Sequence, residues 1–353
     1  MVSQPTVAGV PRHVVDLALG VAALGWSVTV ATPVGSAAWS ELDGRPGIAL
    51  VPFTGRRAPH PSDLWWLLQL LRVVREYDVV HVHSSKAGFL GRFACLLAGR
   101  RGRCVCTPHG WSFWSATGLR RTLYLVLERL AARWCARIVA VSTFERDAGL
   151  ALGVGRPAQY AVVRNGVHVE RFNAEPAPEP GVAVMVARLA NPKRADLVVR
   201  AAVLLRERGI NARIKLVGGG PLRADVEKLI EDCAAAAYVA LLGDRDDVPA
   251  LLSAASVFVL ASGYEGCPLS VLEAMAAGLP VVVTRVGGIE EVVAASTGIV
   301  VGATATELAD ALGTLLSHPQ SARAMGAEGR AVARKFFTAD RMAAEVAAIY
   351  ATL

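Results

Sequence analysis

The 353-residue chain has no run of 18 apolar residues free of charge, so the sequence offers no candidate membrane-spanning helix. The nearest stretch, 119–141, is interrupted by Glu128, Arg129, Arg133 and Arg137. The N-terminus lacks the basic, apolar and small-residue succession of a secretory signal. Six cysteines are present without paired spacing, and Cys104-x-Cys106 is too close for a zinc knuckle. The expectation is a reduced, cytoplasmic chain. Aromatics make up only 6%, and they are not interleaved with basic residues as in a nucleic-acid module, so no nucleic-acid partner is expected. The dinucleotide fingerprint is also missing. In the glycine run at 218–220, Arg223 stands where the third glycine of G-x-G-x-x-G belongs, which argues against a nicotinamide or flavin enzyme. No cofactor is expected.

What is present is apolar and punctuated: 53% hydrophobic residues and 33 glycines, enough to bury two α/β cores. Short apolar runs that read as parallel strands alternate with amphipathic stretches in both halves. Between them, 175–180 alternates proline with small or acidic residues and reads as a stiff linker. The division expected is residues 1–174, a linker at 175–181, and 182–353. Charge is uneven. Residues 1–170 hold 19 basic and 10 acidic side chains, a net of +9, against −2 for the remainder. A basic first half suits an anionic membrane surface or a solvated arginine-rich face, with equal weight.

The most informative stretch is 262–284, SGYEGCPLSVLEAMAAGLPVVVT. It follows a buried-strand pattern at 257–260, turns at Gly263, Gly266 and Pro268, and enters a helix. Proline suits the first helical position. The N–H groups of Leu269 and Ser270 then lie at a helix N-terminus, an anion-binding end. Glu265 stands in the turn and Glu273 on the helix. Carboxylates beside a phosphate site suit hydroxyl donors, and ligands of open α/β sheets bind at this carboxyl edge. The pattern reads as a nucleotide-sugar site.

The eight-residue separation of Glu265 and Glu273 and the surrounding EGCPLSVLEAMAAGLPVVVT resemble the E-x7-E motif of retaining GT-B glycosyltransferases, family 4. Arg188 and Lys193, five apart after a strand, match that family's Gly-Arg-Leu…Lys pattern, with Ala187 in place of the glycine. Gly218-Gly219-Gly220-Pro221-Leu222 resembles its Val-Gly-x-Gly-Pro-Leu loop, and Gly287-Gly288 its turn below the donor site. The resemblance implies two doubly wound Rossmann-like domains facing a cleft, with the last helix crossing back to the first domain. It implies an acceptor-binding N-terminal domain and a C-terminal domain that binds a nucleotide diphosphate sugar. Arg188, Lys193 and the amides of Leu269 and Ser270 would hold the diphosphate, Glu273 the ribose and Glu265 the sugar hydroxyls, with the backbone at Gly243 bordering the base. In the first half, Gly9 matches the family's second loop glycine while Ala8 departs from the first. His109, in Pro108-His109-Gly110, matches a histidine that lies against the donor sugar. The expected catalytic set is His109, Arg188, Lys193 and Glu265.

Other features are set lower. His81 and His83 share one face of a strand at 78–83, and a metal there would need His109 as third ligand. No metal is expected. Asp244-x-Asp246 looks like a metal-binding DxD, but Asp246 reads better as the start of the next helix. Ala8-Gly9 enters a helix with only Met1-Val2-Ser3 before it, so the first strand is expected to be missing or shortened. A start assigned too late would account for that. The expected activity is metal-independent sugar transfer to a saccharide or polyprenyl-linked acceptor in envelope or exopolysaccharide synthesis, peripheral on the inner face of the plasma membrane. The alternatives are a GT-B sugar-nucleotide epimerase and an inactive nucleotide-sugar-binding protein.

Overall fold

The structure, a computed structural model, describes residues 1–4, 9–53 and 60–353. Ala8, which the sequence reading used, lies outside them. The chain divides into two compact units: Met1–Gly166 with Ala339–Leu353, and Val167–Thr338.

The first unit carries β1 (Val28–Thr32), β2 (Ile48–Pro52), β3 (Val80–His83), β4 (Cys104–Thr107), β5 (Arg137–Ala140) and β6 (Tyr160–Val162). All pairings are parallel, β1 with β2 and β3 through β6 in succession. Between these two groups runs the first strand, shortened to the neighbourhood of Val2. Val2 bridges Ala31 of β1 and Val82 of β3, both in parallel. Its N–H donates to His81 O at 2.8 Å and its carbonyl accepts from His83 N at 2.9 Å. On the other side Ser3 N donates to Ala31 O at 2.9 Å and Ala31 N to Met1 O at 2.8 Å. The helix Gly9–Ala23 follows, its apolar face (Val14, Leu17, Ala18, Val21) buried. The terminal helix Ala339–Tyr350 packs on it, with Ala343 against Gly20, where an added Cβ would approach Ala343 Cβ to 2.5 Å.

The second unit carries β7 (Val182–Val186), β8 (Arg213–Val217), β9 (Val239–Gly243), β10 (Val257–Leu260), β11 (Val281–Thr284) and β12 (Gly298–Val301). They form one sheet in the order β12-β11-β10-β7-β8-β9. Strands β10 and β11 are buried along their whole length, as a parallel sheet covered on both faces requires.

The expected boundaries need correction. The first unit closes at Gly166 rather than at residue 174, because Val167 N donates to Phe337 O at 2.9 Å and joins the second unit. The segment read as a linker is held to that unit as well. Ala177 N and Glu179 N donate to Ser253 O and Ala254 O at 3.0 and 2.9 Å.

Candidate active site

In the second unit, local backbone pairing brings distant residues together. The loop after β7 lies along the turn after β10. Lys193 bridges Ser262 in antiparallel fashion, Arg194 N donates to Ala261 O at 2.9 Å, and Gly263 N to Pro192 O at 2.9 Å. Thr284, ending β11, fixes the same point from the other side. Its hydroxyl accepts from Ser262 N and donates to Ser262 O, each at 2.9 Å. The result is a carboxylate held by two donors: Lys193 Nζ and Ser262 Oγ both reach Glu265 Oε1. The carbonyl of Glu265 is gripped too, accepting from Gly288 N at 2.9 Å. Gly287 has φ +59°, and a Cβ there would fall 1.9 Å from Glu265 O, so only glycine lets this turn close.

Pro268 is the N-cap of the helix Leu269–Ala276, with extended backbone, rather than its first helical residue. The helical bonds begin with Val271 and Leu272, both donating to Pro268 O. Leu269 and Ser270 therefore occupy the positions whose N–H groups have no partner within the helix. Glu273 is half-buried on this helix.

Arg188 is half-buried in the loop after β7. The glycine run shapes that loop. Leu189 N donates to Gly219 O at 2.8 Å and Leu222 N to Leu189 O at 2.9 Å. A Cβ at Gly218 or Gly220 would meet Ala187 O or Leu189 O at 2.2 or 2.3 Å. Gly243 ends β9 at φ +69°, and its carbonyl accepts from Gly218 N at 2.7 Å. Asp244 Oδ1 accepts from Gly219 N at 2.7 Å, so this aspartate supports the glycine loop. Asp246 does not start the next helix. That helix is Val248–Ser253 with Asp247 as N-cap, and Asp247 pairs with Arg245.

In the first unit Gly9 opens its helix and is exposed. His109 follows β4 with φ 56°, a left-handed conformation uncommon for a non-glycine residue. Glu145 secures the neighbouring turn. One of its oxygens accepts from Gly110 N, the other from Val141 N at 2.8 Å. Burial pushes the Glu145 carboxyl up to about 7, against the lowering effect of those two N–H donors. His83 Nδ1 lies 3.1 Å from His109 Nε2, and the His13 and His109 rings are 4.4 Å apart.

The HxH reading needs revision. His81 is engaged on both nitrogens, with the hydroxyls of Tyr350 at 2.5 Å and Thr107 at 2.8 Å. The histidine that joins His83 and His109 is His13. The sequence reading missed it, although His13, Leu17 and Gly20 follow helical spacing on the buried face. It also gave no site role to Ser262, Thr284, Asn165 or Glu145, which lie at a strand end or within five residues after one.

Comparison with known proteins agrees with this geometry. Residues 168–332 match the family model described as glycosyl transferases group 1, and residues 7–171 that of glycosyltransferase family 4. The Escherichia coli UDP-Gal:alpha-D-GlcNAc-diphosphoundecaprenol alpha-1,3-galactosyltransferase is 33% identical over 270 residues, 70% of this chain and 68% of that protein. The chain belongs to the family 4 glycosyltransferases. A GDP-mannose-dependent alpha-(1-6)-phosphatidylinositol monomannoside mannosyltransferase of Mycobacterium tuberculosis is 31% identical to this glycosyltransferase, over 79% of this chain and 78% of that one. Among solved structures, Anabaena HepE in complex with UDP and glucose superposes with a TM-score of 0.85 at 21% identity, spanning 100% of this chain and 98% of that one. WaaG, a glycosyltransferase involved in lipopolysaccharide biosynthesis, gives 0.78 at 18%, over 98% and 99%. The fold of this glycosyltransferase is GT-B, and its activity is glycosyl transfer.

Proposed function

We propose that this glycosyltransferase takes a sugar from a nucleotide diphosphate sugar held by its second unit and delivers it, with retained configuration, to a lipid-linked saccharide at an anionic membrane surface. The observation that carries the donor assignment is the Lys193–Glu265 pair in the unit whose helix Leu269–Ala276 begins with uncapped N–H groups. Among the described residues both donors to Glu265 fall on Oε1, which leaves Oε2 to accept from a sugar hydroxyl. Lys193, Arg188 and the amides of Leu269 and Ser270 supply positive potential for the diphosphate, and Glu273 accepts from the ribose. As the bond to the leaving phosphate breaks, negative charge grows on it. A preorganised cationic cradle stabilises that state more than the ground state. The departing phosphate oxygen takes the acceptor's proton, so no carboxylate nucleophile is needed. On the family resemblance alone, His109 of the first unit is assigned a hydrogen bond to a sugar hydroxyl and Gly9 an approachable backbone.

The membrane assignment rests on the helix Gly118–Ala131. Leu119, Leu123, Val126 and Leu130 fall at i, i+4, i+7 and i+11 on one face and are all exposed, Leu119 at 89%. Arg120, Arg121 and Arg129 flank them in the same helix and are exposed as well. An apolar stripe edged with arginine fits the boundary between acyl chains and anionic headgroups. No helix among the described residues is long and apolar enough to cross a membrane.

Calorimetric titration with UDP-, GDP- and ADP-sugars tests the donor reading. Micromolar binding of one base, lost in Lys193→Ala, is expected. Binding of none of the panel would overturn it.

A further inference from the structure

The first unit holds a histidine cluster that the donor reading does not explain. Three histidines from three elements converge at the carboxyl edge of its sheet: His13 from the helix after the short first strand, His83 from the end of β3, and His109 from the loop after β4. One ligand atom from each can be chosen so that all three lie within 4.8 Å of one another. The edge they occupy is where the strand order reverses, between Val2 and β3, the usual ligand crevice of a doubly wound sheet.

We propose that His13, His83 and His109 form a binding site for a divalent transition metal of the zinc class.

Three observations support it. First, His13 Nε2 and His83 Nε2 are buried without a hydrogen-bond partner, although His13 is 3% and His83 0% exposed. Buried imidazole nitrogens are ordinarily satisfied, and a cation in the cluster would accept their lone pairs. Second, His13 is prepared as a ligand. Its Nδ1 lies 3.0 Å from Asn165 Oδ1. An amide oxygen can only accept, so Nδ1 carries the proton and Nε2 presents the lone pair, the outer-shell arrangement usual for metal-binding histidines. Third, His109 is placed by a left-handed backbone that Glu145 secures through Gly110, and strained backbone of this kind concentrates at functional positions.

The geometry is close to what zinc needs. A tetrahedral ion with bonds of ~2.0–2.1 Å sets its nitrogen ligands ~3.3 Å apart. With one ligand atom from each histidine within 4.8 Å of the others, the widest separation closes by a side-chain adjustment of about 1.5 Å, within rotamer freedom. Three protein ligands leave a fourth position open to water or to an oxygen of a bound molecule. His81 is not a ligand, because Tyr350 and Thr107 occupy both of its nitrogens. A metal on His109 competes with the sugar contact assigned to that side chain. Occupancy is therefore expected to lower the transfer rate, which makes the site a means of inhibition by free metal. That consequence rests on the donor reading, whereas metal binding does not.

The test uses the full chain, stripped with chelator and titrated with Co²⁺ and Zn²⁺ without donor or acceptor. One Co²⁺ per chain with the intense visible absorption of tetrahedral coordination is expected, displaced by Zn²⁺. His109→Ala, in a half-buried loop, should weaken binding about 100-fold or more. Asn165→Leu, which removes only the outer partner, should weaken it 10- to 100-fold. His318→Ala, on an exposed helix end, should leave it unchanged. Circular dichroism melts of each variant separate lost ligation from lost folding. Absence of tetrahedral Co²⁺ absorption in the folded wild type, or affinity unmoved by His109→Ala, overturns the site. Normal metal binding together with unaltered transfer would instead count against the sugar contact of His109.

Discussion

The two units run their parallel strands in one order. Counted along each chain segment from Val2 and β7 as the respective first strands, the sequence across the sheet is 3-2-1-4-5-6 in the second unit and 3-2-1-4-5-6-7 in the first, where β6 adds a seventh strand at the edge. They differ most at that central position. In the second unit it is a five-residue strand paired with β8 along its whole length. In the first it is a single bridging residue that serves both neighbours. Both units nevertheless build their polar clusters at the same edge. A ligand crevice depends on where the central strand ends rather than on where it begins, because the loops that follow its carboxyl end carry the chemistry. The clusters differ in kind. One is an ion pair of lysine and glutamate beside a helix N-terminus, suited to phosphate and hydroxyls. The other is a set of buried neutral imidazoles, suited to a soft or borderline cation.

If the transfer chemistry resides in the second unit, the largest losses follow from substitutions there. Lys193→Ala and Glu265→Ala should each lower kcat by about 10²-fold or more, the scale of losing one preorganised charge. The two should not add, because each leaves the other's charge without the partner it has now. Gly287→Ala touches neither side chain but drives a Cβ into Glu265 O. It should destabilise the second unit by ~1–3 kcal/mol and reproduce part of the Glu265→Ala defect. Steady-state kinetics with the donor identified by calorimetry decides this, and near-normal kcat in both charge variants would move the chemistry elsewhere.

The first unit should be set apart by its response to acid. Its buried histidines have depressed pKa values, so their contribution to stability is complete above the ordinary imidazole value of about 6.5 and is lost as pH falls toward the folded values. For His13, at about 4, the loss amounts to ~3 kcal/mol. Glu145 works in the opposite sense. With its carboxyl raised to about 7, it costs nothing below the ordinary carboxylate value, and its cost grows as pH rises to 7. Four histidines, His13, His81, His83 and His109, against one carboxyl leave a net loss in acid. Hydrogen exchange between pH 7.5 and 5 should show the first unit opening before the second. Glu145→Gln should steepen the dependence, since it removes the opposing group. Equal protection of both units across that range would erase the distinction.

This contrast also governs what could be read from the sequence. Strands β10 and β11 are continuous apolar runs, and the expected limits of the first, 257–260, coincide with the structure. Short motifs singled out Glu265 and Lys193, which the structure pairs, and placed the helix start one residue early, since Pro268 is its N-cap. β2 and β12 escaped notice. β2 carries an apolar run at 48–51 but is only partly buried, and β12 begins at a glycine. The histidine cluster was half legible. Strand alternation paired His81 with His83, but which histidine completes a site depends on hydroxyls from Tyr350 and Thr107, the first 269 residues away in sequence. Spacing along one strand carries no information about such partners. The unit boundary was misplaced for a similar reason. A proline-rich segment reads as a spacer, whereas its backbone N–H groups find carbonyls at Ser253 and Ala254.

The smallest effect expected concerns the apolar stripe of the helix Gly118–Ala131, and it separates the first unit's surface from its interior. Leu123→Glu removes one of four exposed apolar side chains and sets a negative charge among Arg120, Arg121 and Arg129. Complete burial of a leucine is worth ~1.5–3 kcal/mol, and a side chain seated at the headgroup boundary recovers only part of that. Association with vesicles rich in phosphatidylglycerol should therefore weaken by about tenfold, in flotation at ~0.1 M salt. Raising the salt should release the wild type as well, because the arginine contribution is screened within about 10 Å at that strength and more tightly above it. Folding should be untouched, since the buried face of this helix, with Glu128 against Arg92 and Ala131 in the core, lies on the other side. Transfer to a detergent-solubilised acceptor should likewise persist while transfer on vesicles falls. If both fall together, the stripe belongs to the acceptor site itself. If neither does, the exposed leucines have no part in delivering the acceptor, and the membrane assignment is withdrawn.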